Sequence, residues 1–187
     1  MMMMATTTLT RLTTYDDYRH LPDDGKQYQI IGGELYMTPA PTTQHQRIGL
    51  RLKFRLFEFV ERNKLGEVLD APVDVVLSMT DVVQPDIVFV AKERLNIITN
   101  KNIVEAPDLV VEILSEHTET IDRKKKMELY ERHGVKEYWI VDPDAKVIEQ
   151  FVLKKKKFKF HAKTEDQQKL ASQVIEGLSF SVNEIFG

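Results

Sequence analysis

The sequence predicts an α/β fold in which a central mixed β-sheet is flanked by helices. Extended apolar segments alternate along the chain with two segments of helical periodicity, near residues 43–63 and 120–133. Residues 106–115, APDLVVEILS, are rich in branched apolar side chains and lack polar alternation. That composition is typical of a strand covered on both faces, as in a sheet with helices packed against it.

The first predicted elements are a short helix and a β-hairpin. Thr14 lies three residues before Asp17, a weak form of the capping box that opens a helix. In residues 27–38, QYQIIGGELYMT, two strand-like runs surround a pair of glycines, which favours a tight hairpin turn.

A long helix is predicted from Thr43 to Asn63, because apolar residues recur there at helical spacing and Gly66 marks the end. The recurring residues are Ile48, Leu52, Leu56 and Phe59. A second helix runs from about Thr120 to His133 and ends at Gly134. Besides residues 106–115, strands are predicted at residues 66–78, 82–90, 136–142, 146–153 and 157–162. We expect residues 1–14 to form a flexible N-terminal segment and residues 15–187 a single domain.

Composition excludes several classes of protein. The chain has 187 residues, of which 42% are hydrophobic and 29% charged, and this suits one globular domain. It contains no cysteine, which excludes disulfides, thiolate catalysis and cysteine zinc sites. A net charge of −3 does not indicate a nucleic-acid binder overall, although a local basic surface remains compatible with it. No apolar run approaches the roughly 20 residues of a membrane span. No secretory signal is recognisable at the start, so we expect a cytoplasmic protein.

Glu112 lies in the middle of the predicted buried strand. Burying an ionised carboxylate is costly unless a partner compensates it, so Glu112 implies a cation, a hydrogen-bond cage or a metal. Asp108 lies on the same face, but four residues at about 3.3 Å each put the two side chains roughly 13 Å apart. Asp86 lies on a different apolar strand. If the two strands are neighbours, Asp86 and Glu112 converge at one edge of the sheet, where a hard cation such as Mg²⁺ would neutralise them.

A lysine-rich helix follows the strand at once. At 100° per residue, Lys126 points between Leu129 and Tyr130 of the apolar face, whereas Lys124 and Lys125 point toward solvent. A lysine facing the sheet could orient or deprotonate a water, or stabilise charge on a phosphate.

The order of these residues resembles the motif of the PD-(D/E)XK nuclease superfamily: Asp86 follows Pro85, and Glu112 and then a lysine come later in the chain. In that fold the two acids lie on neighbouring strands of a central sheet and bind Mg²⁺ for phosphodiester hydrolysis. The superfamily pattern places its lysine two residues after the second acid, where this chain has Leu114. Lys126, on the following helix, would take its place, a variation known within the superfamily.

The wider layout resembles the Uma-type restriction endonuclease family, from about Tyr15 almost to the end of the chain. The resemblance implies a restriction-endonuclease-like fold, a Mg²⁺-dependent nuclease site at Asp86, Glu112 and Lys126, an accessory acid at Glu34, and a homodimer. The matching stretches are DGKQYQIIGGELYMTPAP, HQRIGLRL, GEVLDAPVDVVLS, VVQPDIVFV, APDLVVEILS, DRKKKMELYERHGVKEYWIVDP and GLSFSVNEIF.

The leading hypothesis is a metal-dependent endonuclease that acts on DNA. Asp86, Glu112 and the backbone carbonyl of Ile113 would hold one or two Mg²⁺ (or Mn²⁺), and Lys126 would position the water or offset charge. Glu34 would complete the outer shell of the metal. One alternative is a catalytically inactive module that binds nucleic acid or protein as a homodimer. Another is a structural homodimer whose acids are paired by arginines.

Each acid or lysine of the predicted site also has a structural interpretation. Glu112 could form a buried salt bridge, and Lys126 could extend past Tyr130 to water. An aspartate after proline can close a turn, an interpretation we prefer for Asp108 and not for Asp86.

Several further residues also have both a functional and a structural interpretation. Glu34 is equally compatible with a ligand and with a solvated turn. His45 is predicted to be a capping or core histidine, and Asp122 to stabilise the helix start and pair with a lysine. The basic run Lys154–Lys157 with Lys159 could contact phosphates, but a lysine-protected edge strand or turn is preferred.

Overall fold

The computed structural model describes residues 13–21, 26–38, 40–116 and 118–187. The predicted flexible segment, residues 1–14, lies outside the described residues except for its last two. In the described part of the chain, no helix combines the length and apolar character that crossing a membrane requires.

The described residues form four α-helices, one 3-10 helix and one π-helical turn. The α-helices are α1 (Tyr15–Tyr18), α2 (Thr43–Asn63), α3 (Met127–His133) and α4 (Asn183–Phe186), the 3-10 helix is Lys92–Ile97 and the π-helical turn is Ile121–Lys126. The strands are β1 (Gln27–Ile31), β2 (Glu34–Thr38), β3 (Gly66–Asp70), β4 (Asp74–Ser78), β5 (Asp81–Val83), β6 (Ile87–Ala91), β7 (Asn102–Val104), β8 (Leu109–Ile113), β9 (Glu137–Asp142), β10 (Val147–Lys154), β11 (Lys157–Glu165), β12 (Lys169–Ala171) and β13 (Ser179–Ser181).

Two mixed sheets are at the centre of the described fold. The larger has the order β11-β10-β9-β8-β6-β3 and the smaller the order β2-β1-β5-β4-β7. Strands β8 and β9 are parallel, as are β4 and β7, whereas the other pairs are antiparallel. The predicted mixed α/β architecture is confirmed, with two central sheets in place of one and a separate pair of strands, β12-β13, in the described residues.

Strand β8 is buried on both faces, as its composition predicts. Its odd-numbered residues, such as Val111, pack in one cluster with the apolar stripe of α2. Val110 and Leu114 belong to a second cluster with Tyr130 of α3 and residues of the smaller sheet. The strand that carries Glu112 is therefore enclosed from both sides.

The predicted capping box, hairpin and long helix are present. The Thr14 side chain accepts a hydrogen bond from the Asp17 N–H at 3.3 Å, and the Asp17 carboxylate accepts one from the Thr14 N–H at 2.9 Å. Helix α2 ends at Asn63, but the residue in left-handed conformation after it is Lys64, with φ of 54°. Gly66 begins β3 instead, where a side chain would collide with the Val90 carbonyl.

The basic run lies on a turn and an edge strand. Lys154 pairs with Lys157 at the β10–β11 turn, and β11 forms the edge of the larger sheet. Since Glu112 and Glu149 both pair with Ile140, the turn lies five residues, or about 17 Å, along the sheet from the level of Glu112. This position favours edge protection over contact with a ligand near Glu112.

Candidate active site

Asp86 and Glu112 meet across neighbouring strands. Strands β6 and β8 are antiparallel and pair Ile87 with Val111, a register that places the preceding Asp86 opposite Glu112. Asp86 Oδ2 accepts a hydrogen bond from the backbone N–H of Ile113 at 2.7 Å. Pairing of the two strands, the condition on which their convergence was predicted, is thus fulfilled.

Glu112 is almost fully buried, at 3% exposure. The Tyr130 hydroxyl donates a hydrogen bond to its Oε1 at 2.6 Å, and Lys126 Nζ lies 3.0 Å from its Oε2. Burial raises the pKa of Glu112 to about 8; the Lys126 charge opposes this rise, while Asp122 and Asp86 add to it. The structural alternative for Glu112, a salt bridge, is therefore present, and its partner is the predicted site lysine.

Lys126 faces the sheet, as helical periodicity predicts, while Lys124 and Lys125 are exposed. Its Nζ lies 3.0 Å from both Glu112 Oε2 and Asp122 Oδ1. The contact with Asp122 is an ion pair without hydrogen-bond geometry, since Asp122 Oδ1 has no hydrogen-bond partner among the described residues. Burial acts to lower the pKa of Lys126, but the two carboxylates outweigh burial and raise it. The amine therefore stays protonated at neutral pH.

The predicted helix from Thr120 to His133 differs from the structure at its beginning. Ile121–Lys126 forms a π-helical turn, and α3 follows from Met127. Asp122 and Lys126 of this turn are both buried. Such turns are frequent at functional sites because they alter which side chains share a face. The prediction that Asp122 pairs with a lysine is confirmed by its contact with Lys126.

One cavity of about 530 Å³ brings most of the predicted residues together. Its lining includes Asp86, Glu112, Ile113, Asp122 and Lys126. The cavity lies between α2, the adjacent ends of β6 and β8, and the π-helical turn. It has room for a ligand beside the two carboxylates.

His45 belongs to this cavity too, although a capping or core histidine was the preferred interpretation. Thr42, and not His45, caps α2: its Oγ1 accepts a hydrogen bond from the His45 N–H at 3.2 Å. The His45 side chain lines the cavity, and its Nε2 lies 3.3 Å from Asp86 Oδ2. Burial acts to lower the pKa of His45, and the hydrogen bond and negative charge of Asp86 raise it by more. The signal in the sequence was its position on the helix face shared with Ile48 and Leu52.

Tyr130 is the other contributor that the sequence did not reveal. Its position on the apolar face of the helix predicted burial, which the structure confirms. Its hydroxyl, however, contacts Glu112, and burial raises the pKa of Tyr130 so that it remains a donor. The four-residue spacing from Lys126 was the only sign that both side chains point the same way.

Glu34 and Asp108 lie elsewhere. Glu34 is exposed on β2, where it contacts Tyr36 and lies 3.0 Å from Lys125 Nζ, and it does not line the cavity. Asp108 is buried between Arg94 at 3.1 Å and Lys136 at 2.7 Å. Asp108 thus forms structural ion pairs. It is more deeply buried than expected for the turn-closing aspartate that was predicted.

The donors around the cavity fit a hydrated Mg²⁺. This ion prefers oxygen ligands and keeps several waters, so one or two carboxylates suffice to bind it. No described residue donates a hydrogen bond to Asp86 Oδ1, and the carboxylates of Asp86, Glu112 and Asp122 outnumber the ammonium of Lys126. Among the described residues, no group of three or more His, Asp and Glu side chains is arranged to hold a metal. A largely water-coordinated ion fits these residues, and an ion coordinated only by side chains does not.

Comparison with known proteins identifies the family and supports the fold. The Uma2 family, described as "Putative restriction endonuclease", matches residues 15–183. The fold is similar to a crystal structure described as a putative nuclease belonging to DUF820 from Anabaena variabilis ATCC 29413. The TM-score is 0.78 at 19% sequence identity, over 92% of this chain and 97% of that chain, which shows a shared fold. No curated protein matches the sequence. Because the family match covers most of its length, the chain belongs to the Uma2 family.

Proposed function

We propose that this chain is a Mg²⁺-dependent endonuclease that hydrolyses phosphodiester bonds in DNA. The observation that carries the proposal is the convergence of Asp86 and Glu112 at one cavity, with the buried ammonium of Lys126 beside them. Membership of the Uma2 family supports it independently.

The roles of the residues follow from their surroundings. Asp86, Glu112 and the Ile113 carbonyl would hold the ion, which when bound lowers the pKa of a water and polarises the phosphate. The Ile113 N–H and His45 orient the Asp86 carboxylate. Lys126, kept protonated by two carboxylates, offsets charge on the phosphate and does not act as a base.

The test compares cleavage by the parent protein and two variants. Plasmid and linear DNA are incubated with Mg²⁺, Mn²⁺ or EDTA. Glu112→Gln should abolish metal-dependent cleavage, whereas Glu67→Gln, a matched change on the exposed face of β3, should leave it intact. Equal cleavage by the Glu112→Gln variant and the parent would contradict the proposed mechanism.

A second candidate is an inactive module that binds nucleic acid or protein. Two observations favour it: Leu114 stands where the superfamily pattern has its lysine, and both Glu112 oxygens already have protein partners. Calorimetric titration with Mn²⁺ separates the two. Binding that disappears in Asp86→Asn supports the nuclease, and no binding by the parent supports the inactive module.

We also propose that the chain is a homodimer. Leu50, Phe54 and Phe57 are at least half exposed and recur on one side of α2. Burial of this stripe against a second copy would remove it from water. Sedimentation equilibrium of the parent and Phe54→Lys tests the idea, because a monomeric parent would exclude it.

A further inference from the structure

A second cavity of about 150 Å³ lies at the same end of the larger sheet as Glu112. It is formed by the first turns of α2, the β9–β10 turn and Phe186. Pro143 and Lys146 follow β9 directly, and the level of Glu112 on β9 is Ile140. The Gln44 side chain donates a hydrogen bond to the Pro143 carbonyl at 3.5 Å, which connects α2 to this turn.

The lining of this second cavity is cationic. It contains Arg47, Arg51 and Lys146 and no acidic residue. Arg47 and Lys146 are exposed, and neither forms an ion pair with a described residue. Arg51 donates one hydrogen bond to the Ile185 carbonyl at 3.1 Å, which leaves other guanidinium donors available. In a chain of net charge −3, three cations around one cavity without an acid indicate an anionic ligand.

Helix α2 separates the two cavities. His45, Gly49 and Lys53 line the first, while Arg47 and Arg51 line the second. At 3.6 residues per turn these sets lie on opposite sides of the helix, roughly one helix diameter, or about 10–12 Å, apart. Phosphates of one strand lie farther apart than the axial rise of about 3.4 Å per nucleotide, because the strand also winds around the duplex axis, so this span corresponds to about two nucleotides.

We propose that Arg47, Arg51 and Lys146 bind a backbone phosphate about two nucleotides from the phosphate held at Asp86 and Glu112. This inference rests on the proposed nuclease function and adds a subsite to it. Arginine is suited to the role because its planar group binds phosphate oxygens through two hydrogen bonds. The subsite fixes the position of the strand and reads no base sequence.

The experiment measures binding of a 20-base-pair duplex in EDTA by fluorescence anisotropy, so that cleavage plays no part. The test variant is Arg47→Gln with Lys146→Gln; Arg51 is left intact because it also supports the C-terminal residues. The matched control, Lys154→Gln with Lys159→Gln, removes the same charge from the distant basic turn. Loss of one phosphate contact lowers affinity about eightfold at about 0.1 M salt, so the test variant should bind roughly eightfold more weakly. Its salt dependence should be shallower by about one contact.

The outcomes separate this inference from the nuclease proposal. An unchanged test variant, an equal loss in the control, or a parent that does not bind the duplex would each overturn the subsite. If inorganic phosphate raises the melting temperature through Arg47 and Lys146 while the duplex does not bind, the cavity holds a free anion and the nucleic-acid assignment is wrong. Weaker duplex binding by the test variant supports the subsite even if Glu112→Gln still cleaves, a result that contradicts only the nuclease mechanism.

Discussion

Glu112 and Glu137 are two buried glutamates on the neighbouring parallel strands β8 and β9, and their surroundings differ in kind. Glu137 accepts hydrogen bonds from Trp139 Nε1 at 2.7 Å and Gln150 Nε2 at 3.0 Å. It also accepts bonds from the Ser172 hydroxyl at 2.7 Å and from two backbone N–H groups, those of Gln173 and Val174. Glu112 has one hydroxyl donor, one ammonium and an adjoining cavity.

The difference separates a carboxylate that the protein compensates fully from one that it compensates only in part. Uncharged donors from three parts of the chain surround Glu137, so its charge is compensated without any ligand. Glu112 shares a single ammonium with Asp122, and burial leaves its pKa at about 8. A carboxylate that is incompletely compensated next to an open cavity can gain from a ligand cation, which is the property expected of an active site.

The largest effect should follow from removing the structural carboxylate. Glu137→Ala removes the acceptor of five hydrogen bonds, two of them fully buried, and we expect a loss of about 3–5 kcal/mol in the free energy of unfolding. Urea denaturation measures it. Glu112→Ala should cost clearly less, and equal losses for the two variants would remove the distinction between the two sites.

The sequence alone does not separate these two residues. LVVEI and EYWIV each place one glutamate in an apolar strand, so both strands were predicted from local composition. Four of the five donors to Glu137 come from residues 150 and 172–174, whose proximity to Glu137 depends on strand pairing and on a loop distant in sequence. Helical periodicity was enough to identify Lys126, because the direction in which a side chain points from a helix depends only on its position in the local sequence. The partnership of Asp86 with Glu112 depended on the order of strands, which the sequence supports only through the family resemblance.

Removing the charged partner of Glu112 should have the next largest effect. Lys126→Met eliminates the charge that opposes the pKa rise of Glu112, so this pKa should move above 8. The free energy of unfolding should fall by about 2 kcal/mol at pH 7, a loss limited because Glu112, with a pKa of about 8, is already largely protonated at this pH. Carboxyl carbon NMR titration reports the pKa, and a lower value in the variant would show that Lys126 does not control it.

The pH dependence of stability should also reflect Glu112. Its pKa is about 8 when folded and about 4.5 when unfolded, so the folded state retains a proton that the unfolded state loses between these values. In EDTA, the contribution of Glu112 to stability is therefore fully present below pH 4.5, falls as the pH rises to about 8, and is constant above. The pKa of His45 is also raised in the folded state, so the contribution of His45 to stability likewise falls as the pH rises.

Comparing the parent with Glu112→Gln isolates this contribution. The difference in unfolding free energy should shift in favour of the variant from pH 4.5 to 8, because glutamine has no proton to lose. Thermal denaturation at intervals of one pH unit measures it. Parallel curves for the two proteins would show that Glu112 titrates normally, as a well-compensated carboxylate would.

The smallest effect is expected at an acid outside both sites. Glu34 is exposed and pairs with Lys125 on the surface, where water screens the interaction. Glu34→Gln should therefore leave the melting temperature unchanged within error. Cleavage is the more informative measurement, because the resemblance makes Glu34 an accessory acid while the structure places it outside the cavity. Unchanged cleavage would show that the acidic residues required for cleavage lie in the cavity of Asp86 and Glu112. A loss of cleavage would mean that β2 approaches the cavity when substrate binds.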